Sequence, residues 1–190
     1  MKRRTLAAAT AALLMTSALG MSACSSELVA QSGSSAAQSA ANLDPGRISS
    51  VLETVGGVMA TADASLNAAD LGDQVTKGAL EMRTAQYALA NANSQALPPL
   101  DFEPTSLAIT NSDSWPRAIF NISDTSSTTL PVLEVYVQDS ARSDYKLTNY
   151  ARLLGGTHLT LPSVGTGSAY VTGDSQGFTV TPDTALAQYI

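Results

Sequence analysis

The chain has 190 residues, 44 % of them hydrophobic and only 14 % charged, with a formal net charge of −6. Three of its ten basic residues are Lys2, Arg3 and Arg4, so residues 24–190 hold seven basic against sixteen acidic side chains, a net charge of −9. This balance argues against nucleic acid and against direct electrostatic adhesion to anionic lipid. A single cysteine rules out an internal disulfide, and one histidine beside it falls short of the usual zinc ligand sets.

Behind the positive n-region, Thr5 to Leu19 is an uninterrupted run of apolar or small residues. About 15 residues of helix reach roughly 22 Å, short of the ~30 Å hydrocarbon core, so the run reads as the h-region of an export signal and not as a spanning helix. Met21-Ser22-Ala23 then leads into Cys24, the sole cysteine. The pattern resembles the bacterial lipobox, with Met21 where a leucine is usual. That resemblance implies cleavage after residue 23 and a diacylglyceryl (palmitate-type) anchor on the Cys24 thiol. Two acyl chains hold stably where one holds marginally. The expected location is the extracytoplasmic face of the cell membrane, with the general secretory route favoured over the twin-arginine route that Arg3-Arg4 would suggest.

Residues 24–42 are rich in Ser, Ala and Gln and read as a flexible tether. The eighteen residues behind Cys24, 25–42, have a root-mean-square reach of about 25 Å. Order is expected from Asp44-Pro45, a cap followed by Pro at the first helical position. Ile48, Val51, Leu52, Val55, Val58, Met59, Ala62 and Leu66 then recur at helical spacing, with Gly56-Gly57 in the middle. A break at Asp70–Asp73 precedes a second predicted helix from about Thr76 to Asn93. On it Arg83 and Tyr87 are i and i+4 neighbours. The pair reads as an anionic-ligand site or an intramolecular anchor, the anchor being favoured.

After Leu97-Pro98-Pro99-Leu100 the period changes to two. Strands are predicted at Leu107–Thr110, Ala118–Ile122, Val132–Val137, Tyr145–Leu154 and Thr157–Leu161, with a further short one at Ala169–Val171. In the second, Ala118, Phe120 and Ile122 share a face. In the third, Leu133, Val135 and Val137 lie on one side and Glu134 and Tyr136 on the other. Short polar connections argue an antiparallel meander, and helices before strands give an α+β domain over residues 44–180. Thr181-Pro182-Asp183 is a helix start with few residues behind it, read as the opening of a truncated further element over 181–190.

Motifs with chemistry are few. His158 reads as a surface or edge-strand residue. Ser143-Asp144-Tyr145-Lys146 has the letters of S-x-x-K but bridges a turn and a strand, where the acylating pair needs one helical turn. Gly165-x-Gly167 lacks the third glycine of a dinucleotide loop. Asn121-Ile122-Ser123 is a glycosylation sequon by letter only. Trp115, in Trp115-Pro116-Arg117, reads as a ligand-groove wall or a core plug, the plug being favoured. No catalytic, cofactor or metal residue is assigned.

Cys24, the helices over residues 43–87, Trp115-Pro116-Arg117, Tyr145-Lys146-Leu147 and Arg152-Leu153-Leu154-Gly155 together resemble an uncharacterised family of actinobacterial lipoproteins. The resemblance covers most of residues 44–190 and implies an exported lipoprotein with no defined substrate. In longer members the chain runs on past the Pro182 region. The order of elements is also similar to the cystatin-like or nuclear-transport-factor-like cone, with helices on a curved sheet. The expected function is a non-catalytic, membrane-anchored binding or protein-interaction domain for an envelope protein. The alternative is a cone-fold domain, binding or enzymatic, with a small apolar ligand between helices and sheet.

Overall fold

The computed structural model describes residues 40–123, 130–157 and 159–190. Cys24, most of the tether, the 124–129 turn and His158 lie outside the described residues.

Helix α1, Pro45–Ser65, begins at the expected cap. The Asp44 side chain accepts the Arg47 N–H at 3.1 Å and Pro45 supplies the pre-set φ of the first turn. Its buried residues are Ile48, Leu52, Val55, Met59 and Ala62, spaced by fours and threes along one face. Leu66, left-handed at φ 52°, closes the helix. A single 3₁₀ turn, Ala68–Leu71, follows and drops Leu71 into the core. Helix α2, Lys77–Asn93, buries Ala79, Arg83, Tyr87 and Ala90, so its inward stripe carries a cation and a phenol.

Four strands form one antiparallel sheet in chain order: β1 Pro104–Ile109, β2 Arg117–Ser123, β3 Val132–Gln138 and β4 Lys146–Arg152. The domain is therefore α+β, two helices followed by a β-meander. Thr148 is the extra residue of a bulge in β4: Val135 pairs with Asn149 and Tyr136 with Leu147. The Thr148 hydroxyl donates to Val135 O at 3.1 Å, and the bulge turns both Leu147 and Tyr150 to the core side. A Cβ on Gly78 would meet the Asn149 amide nitrogen at 2.7 Å, so the missing side chain lets α2 lie against β4. Residues 74–76 add a parallel bridge along the outer edge of β4, with Leu147 N–H donating to Gln74 O and Thr76 N–H to Leu147 O, both at 2.9 Å.

The two faces of the sheet divide unexpectedly. Ile109, Ile119, Val132, Tyr136, Leu147 and Tyr150 join the helices' buried stripes in one core cluster, and Asn121, Ser123 and Glu134 lie buried among these inward positions. The opposite face carries Phe120, Ile122, Leu133, Val135 and Val137, which stay partly accessible. The more aliphatic face thus turns away from the helices. Asn121 donates to Glu134, and Ser123 exchanges bonds with the Val132 backbone, which lowers the burial cost.

Several predicted boundaries move. The first strand starts at Pro104, ahead of Leu107, because a bulge at Thr105 lets the pairing run on to Ser123. Two predicted strands are not found among the described residues. Residues 157 and 159–161 are not extended into a ladder, since the chain leaves the sheet at the Gly155-Gly156 turn and finds no strand to pair with. Residues 169–171 are likewise irregular, the nearby ladder contact being a single bridge from Ser168 to Thr110. Helix α3, Pro182–Tyr189, is capped by Thr181 and has no buried residue. Among the described residues no helix is long and apolar enough to cross a membrane.

Candidate functional site

An open recess lies where the N-terminal half of α1 meets the β3–β4 turn. The turn is tight: Ser143 N–H donates to Ser140 O at 3.1 Å, and the Gln138 side-chain amide donates to Ser143 O at 2.6 Å. This places Tyr145, just ahead of β4, in the wall of a cleft of about 390 Å³. Leu43 and Val51 give the cleft its apolar contacts, and Arg47, Gln74, Gln138 and Tyr145 give it polar ones. Tyr145 is only 6 % exposed, and its hydroxyl has no hydrogen-bond partner. Burial pushes its pKa up, opposed by the positive charge of Arg117 and reinforced by Tyr170. Tyr145 is therefore a neutral phenol whose hydroxyl is closed off from solvent.

Trp115 and Arg117 flank the start of β2. The Arg117 guanidinium lies over the Trp115 ring at 4.2 Å, and its buried Nε is also unpartnered. Arg117 pairs across the ladder with Gln138, and the Tyr170 hydroxyl reaches Pro116 O at 2.7 Å. Trp115 is half-buried at this end of the sheet, stacked on a cation and apart from Arg83 and Tyr87.

Arg83 and Tyr87 do come together, in the interior and around Asp63, which no local pattern singles out. Arg83 is fully buried and grips Asp63 of α1 with two nitrogens, Nε to Oδ1 at 2.8 Å and Nη2 to Oδ2. Its Nη1 donates to Gln86 Oε1 at 2.8 Å and to Pro98 O at 3.1 Å. The Tyr87 hydroxyl donates to Asp63 Oδ1 at 2.6 Å, and the Tyr150 hydroxyl to Gln86 Oε1 at 3.1 Å. Burial pulls the Arg83 pKa down, but the Asp63 carboxylate more than offsets this and the net shift is upward. For Tyr87, burial and the bond to Asp63 both raise the pKa. With its donors taken up by protein acceptors, the guanidinium is a clamp between α1, α2 and the 97–100 segment.

A second polar group was equally unforeseen. Glu134 is fully buried on β3, with Asn121 directly opposite on β2. Its Oε2 accepts from Asn121 Nδ2 at 3.0 Å and from the Tyr136 hydroxyl at 2.7 Å. In the sequence Glu134 is legible only as an alternating strand position, and Asn121 as one that also carries the letters of a glycosylation sequon. Among the described residues no group of three or more His, Cys, Asp and Glu side chains could hold a metal ion.

No family model, curated protein or solved structure matches the chain.

Proposed function

We propose that the protein is an exported lipoprotein, anchored through Cys24 at the extracytoplasmic face of the cell membrane, whose α+β domain binds an envelope partner and performs no catalysis. The observation that carries the binding reading is the recess beside α1, which sets aliphatic surface from Leu43 and Val51 next to the polar side chains of Arg47, Gln74 and Gln138. That combination suits a peptide segment offering one apolar side chain and a backbone carbonyl. An apolar ligand between helices and sheet is disfavoured, because Ile48, Leu52, Val55, Met59 and Tyr136 meet in that space as one cluster.

The test has two arms. A photo-crosslinking residue at Val51, introduced in intact cells, is expected to yield a discrete envelope-protein adduct that Arg47→Ala weakens. The same residue at Leu89, exposed on α2, is expected to yield none; equal products from both sites would refute the cleft. For the anchor, Cys24→Ala is expected to move the protein out of the membrane fraction or leave it uncleaved. An unmodified N-terminus in the intact mass of the mature wild-type protein would refute lipidation.

A further inference from the structure

The Glu134–Asn121 pair is half of a recognisable arrangement. A carboxylic acid and a primary amide lying side by side close a ring of two hydrogen bonds, the amide N–H donating to the acid carbonyl and the acid O–H donating to the amide carbonyl. The first bond is present, Asn121 Nδ2 to Glu134 Oε2 at 3.0 Å. The atoms that would form the second, Glu134 Oε1 and Asn121 Oδ1, are both buried and both without a partner. As a carboxylate and an amide they are two acceptors, and neither can satisfy the other. A proton on Oε1 removes both deficits at once. It also leaves Oε2 as a carbonyl oxygen accepting two bonds, from Asn121 and from the Tyr136 hydroxyl, which matches its two lone pairs.

We propose that Glu134 is carried in the folded protein as the neutral acid, its Oε1 proton shared with Asn121 Oδ1, and that this pair is a pH-sensitive joint in the core: losing the proton to solvent puts an unpaired charge on the inner face of the sheet and loosens the domain. The groups that bear on Glu134 are Tyr136 on its own strand, Tyr150 opposite it on β4, and Asp101 from the segment ahead of β1, which is itself acidic. The core residues of α1, Ile48, Leu52, Val55 and Met59, are apolar, and the buried cation of α2, Arg83, is committed to Asp63. Burial pushes the Glu134 carboxyl up, the bonds from Asn121 and Tyr136 pull it back, and Asp101 adds to the rise, leaving it at about 7 against an ordinary 4.5.

A raised folded pKa means that the contribution to stability is complete below the ordinary value of 4.5 and is lost as pH climbs through about 7. Across that window the folded-to-unfolded ratio should fall on the order of a hundredfold or more through this one group. Glu134→Gln is the discriminating variant, since its amide can keep both legs of the ring and the Tyr136 bond without a titratable proton. Urea midpoints of wild type and Glu134→Gln, followed from acid to alkaline pH, are expected to diverge. The wild type should lose stability across neutrality relative to the variant, which should be the more stable of the two at alkaline pH. Parallel profiles would overturn the proposal.

If the variant does not fold, the wild-type protein decides the matter through the ¹³C shift of the Glu134 carboxyl. A midpoint near neutrality supports the shared proton. A midpoint in the ordinary glutamate range would mean an ionised carboxylate, bridged to Asn121 by a buried water, and would overturn it.

Discussion

Arg83 and Asp63, twenty positions apart and on different helices, meet as a two-point ion pair in which the guanidinium is fully buried and the carboxylate keeps about a quarter of its side-chain surface in solvent. The asymmetry decides what each substitution does. Removing Asp63 strands a charge in the core, whereas removing Arg83 leaves a carboxylate that can still reach water. Removing one partner so that the other charge is left buried and unpaired costs about 3–5 kcal/mol. Asp63→Ala is therefore expected to lower the urea-unfolding free energy by about that much. Arg83→Met, which fills much of the same space, should cost less. Equal losses would mean that packing, not the stranded charge, dominates.

Tyr136 offers a graded test of the carboxyl at Glu134. Its hydroxyl donates at 2.7 Å and favours the ionised form, opposing burial. Tyr136→Phe removes that bond without opening a large void, so the Glu134 pKa should rise above its present value of about 7. The sign follows directly. With a folded pKa above the unfolded one, the loss of stability that accompanies alkalinisation should shift to higher pH in the variant. The check is the midpoint of the Glu134 carboxyl titration; a downward shift would show that the hydroxyl does not favour the charged form.

Much of this fold was legible because helix caps and periodicities are local. Asp44-Pro45 and the stripe from Ile48 to Ala62 announce α1, and the period-two runs around Phe120 and Val135 announce β2 and β3. Which face of the sheet turns inward was not legible. Burial of Asn121, Glu134 and Tyr136 depends on cross-strand pairing that only register creates, and register is a tertiary property. The cleft was hidden for a similar reason. Val51 and Tyr145 are far apart in sequence, and nothing local signals that they share a wall. Arg83 and Tyr87 could be seen as a pair, but Asp63, which fixes their role, sits as an ordinary polar residue beside the α1 stripe.

Adjacent glycines in α1 should respond oppositely to alanine. A Cβ at Gly57 would meet nothing within 4 Å, so Gly57→Ala should gain the helix-propensity difference of about 1 kcal/mol. A Cβ at Gly56 would lie 3.3 Å from the Phe102 side chain, and Phe102 packs on the core. Gly56→Ala should forfeit most or all of the same gain by pushing Phe102 outward. Thermal unfolding of the two variants beside wild type checks this. A Gly56→Ala protein as stabilised as Gly57→Ala would show that Phe102 yields freely.

Leu52 supplies the reference for a core deletion. It is 1 % exposed and lies midway along the buried stripe of α1, so Leu52→Ala should cost about 2–5 kcal/mol. Leu89, 58 % exposed on α2, should lose little on the same change. A loss at Leu52 below about 1 kcal/mol would mean that the stripe is a free surface and not a core.

Helix α3 has a well-formed start and almost nothing to hold on to. Thr181 accepts the Thr184 N–H, Pro182 sets the first φ, and Asp183 places a negative charge in the first turn. Its link to the preceding loop is the Asp183 N–H to Gly173 O bond at 3.0 Å, and Leu186, Tyr189 and Ile190 are 58 %, 91 % and 95 % exposed. Eight residues are too few for a helix to stand by itself in water, and ordering costs roughly 1–2 kcal/mol per residue with no apolar burial to offset it. Deleting residues 183–190 should therefore leave the urea midpoint of the domain unchanged, and amide exchange in α3 of the intact chain should be close to that of an unprotected peptide. A clear fall in midpoint on deletion would place these residues in a packing role that their exposure does not suggest.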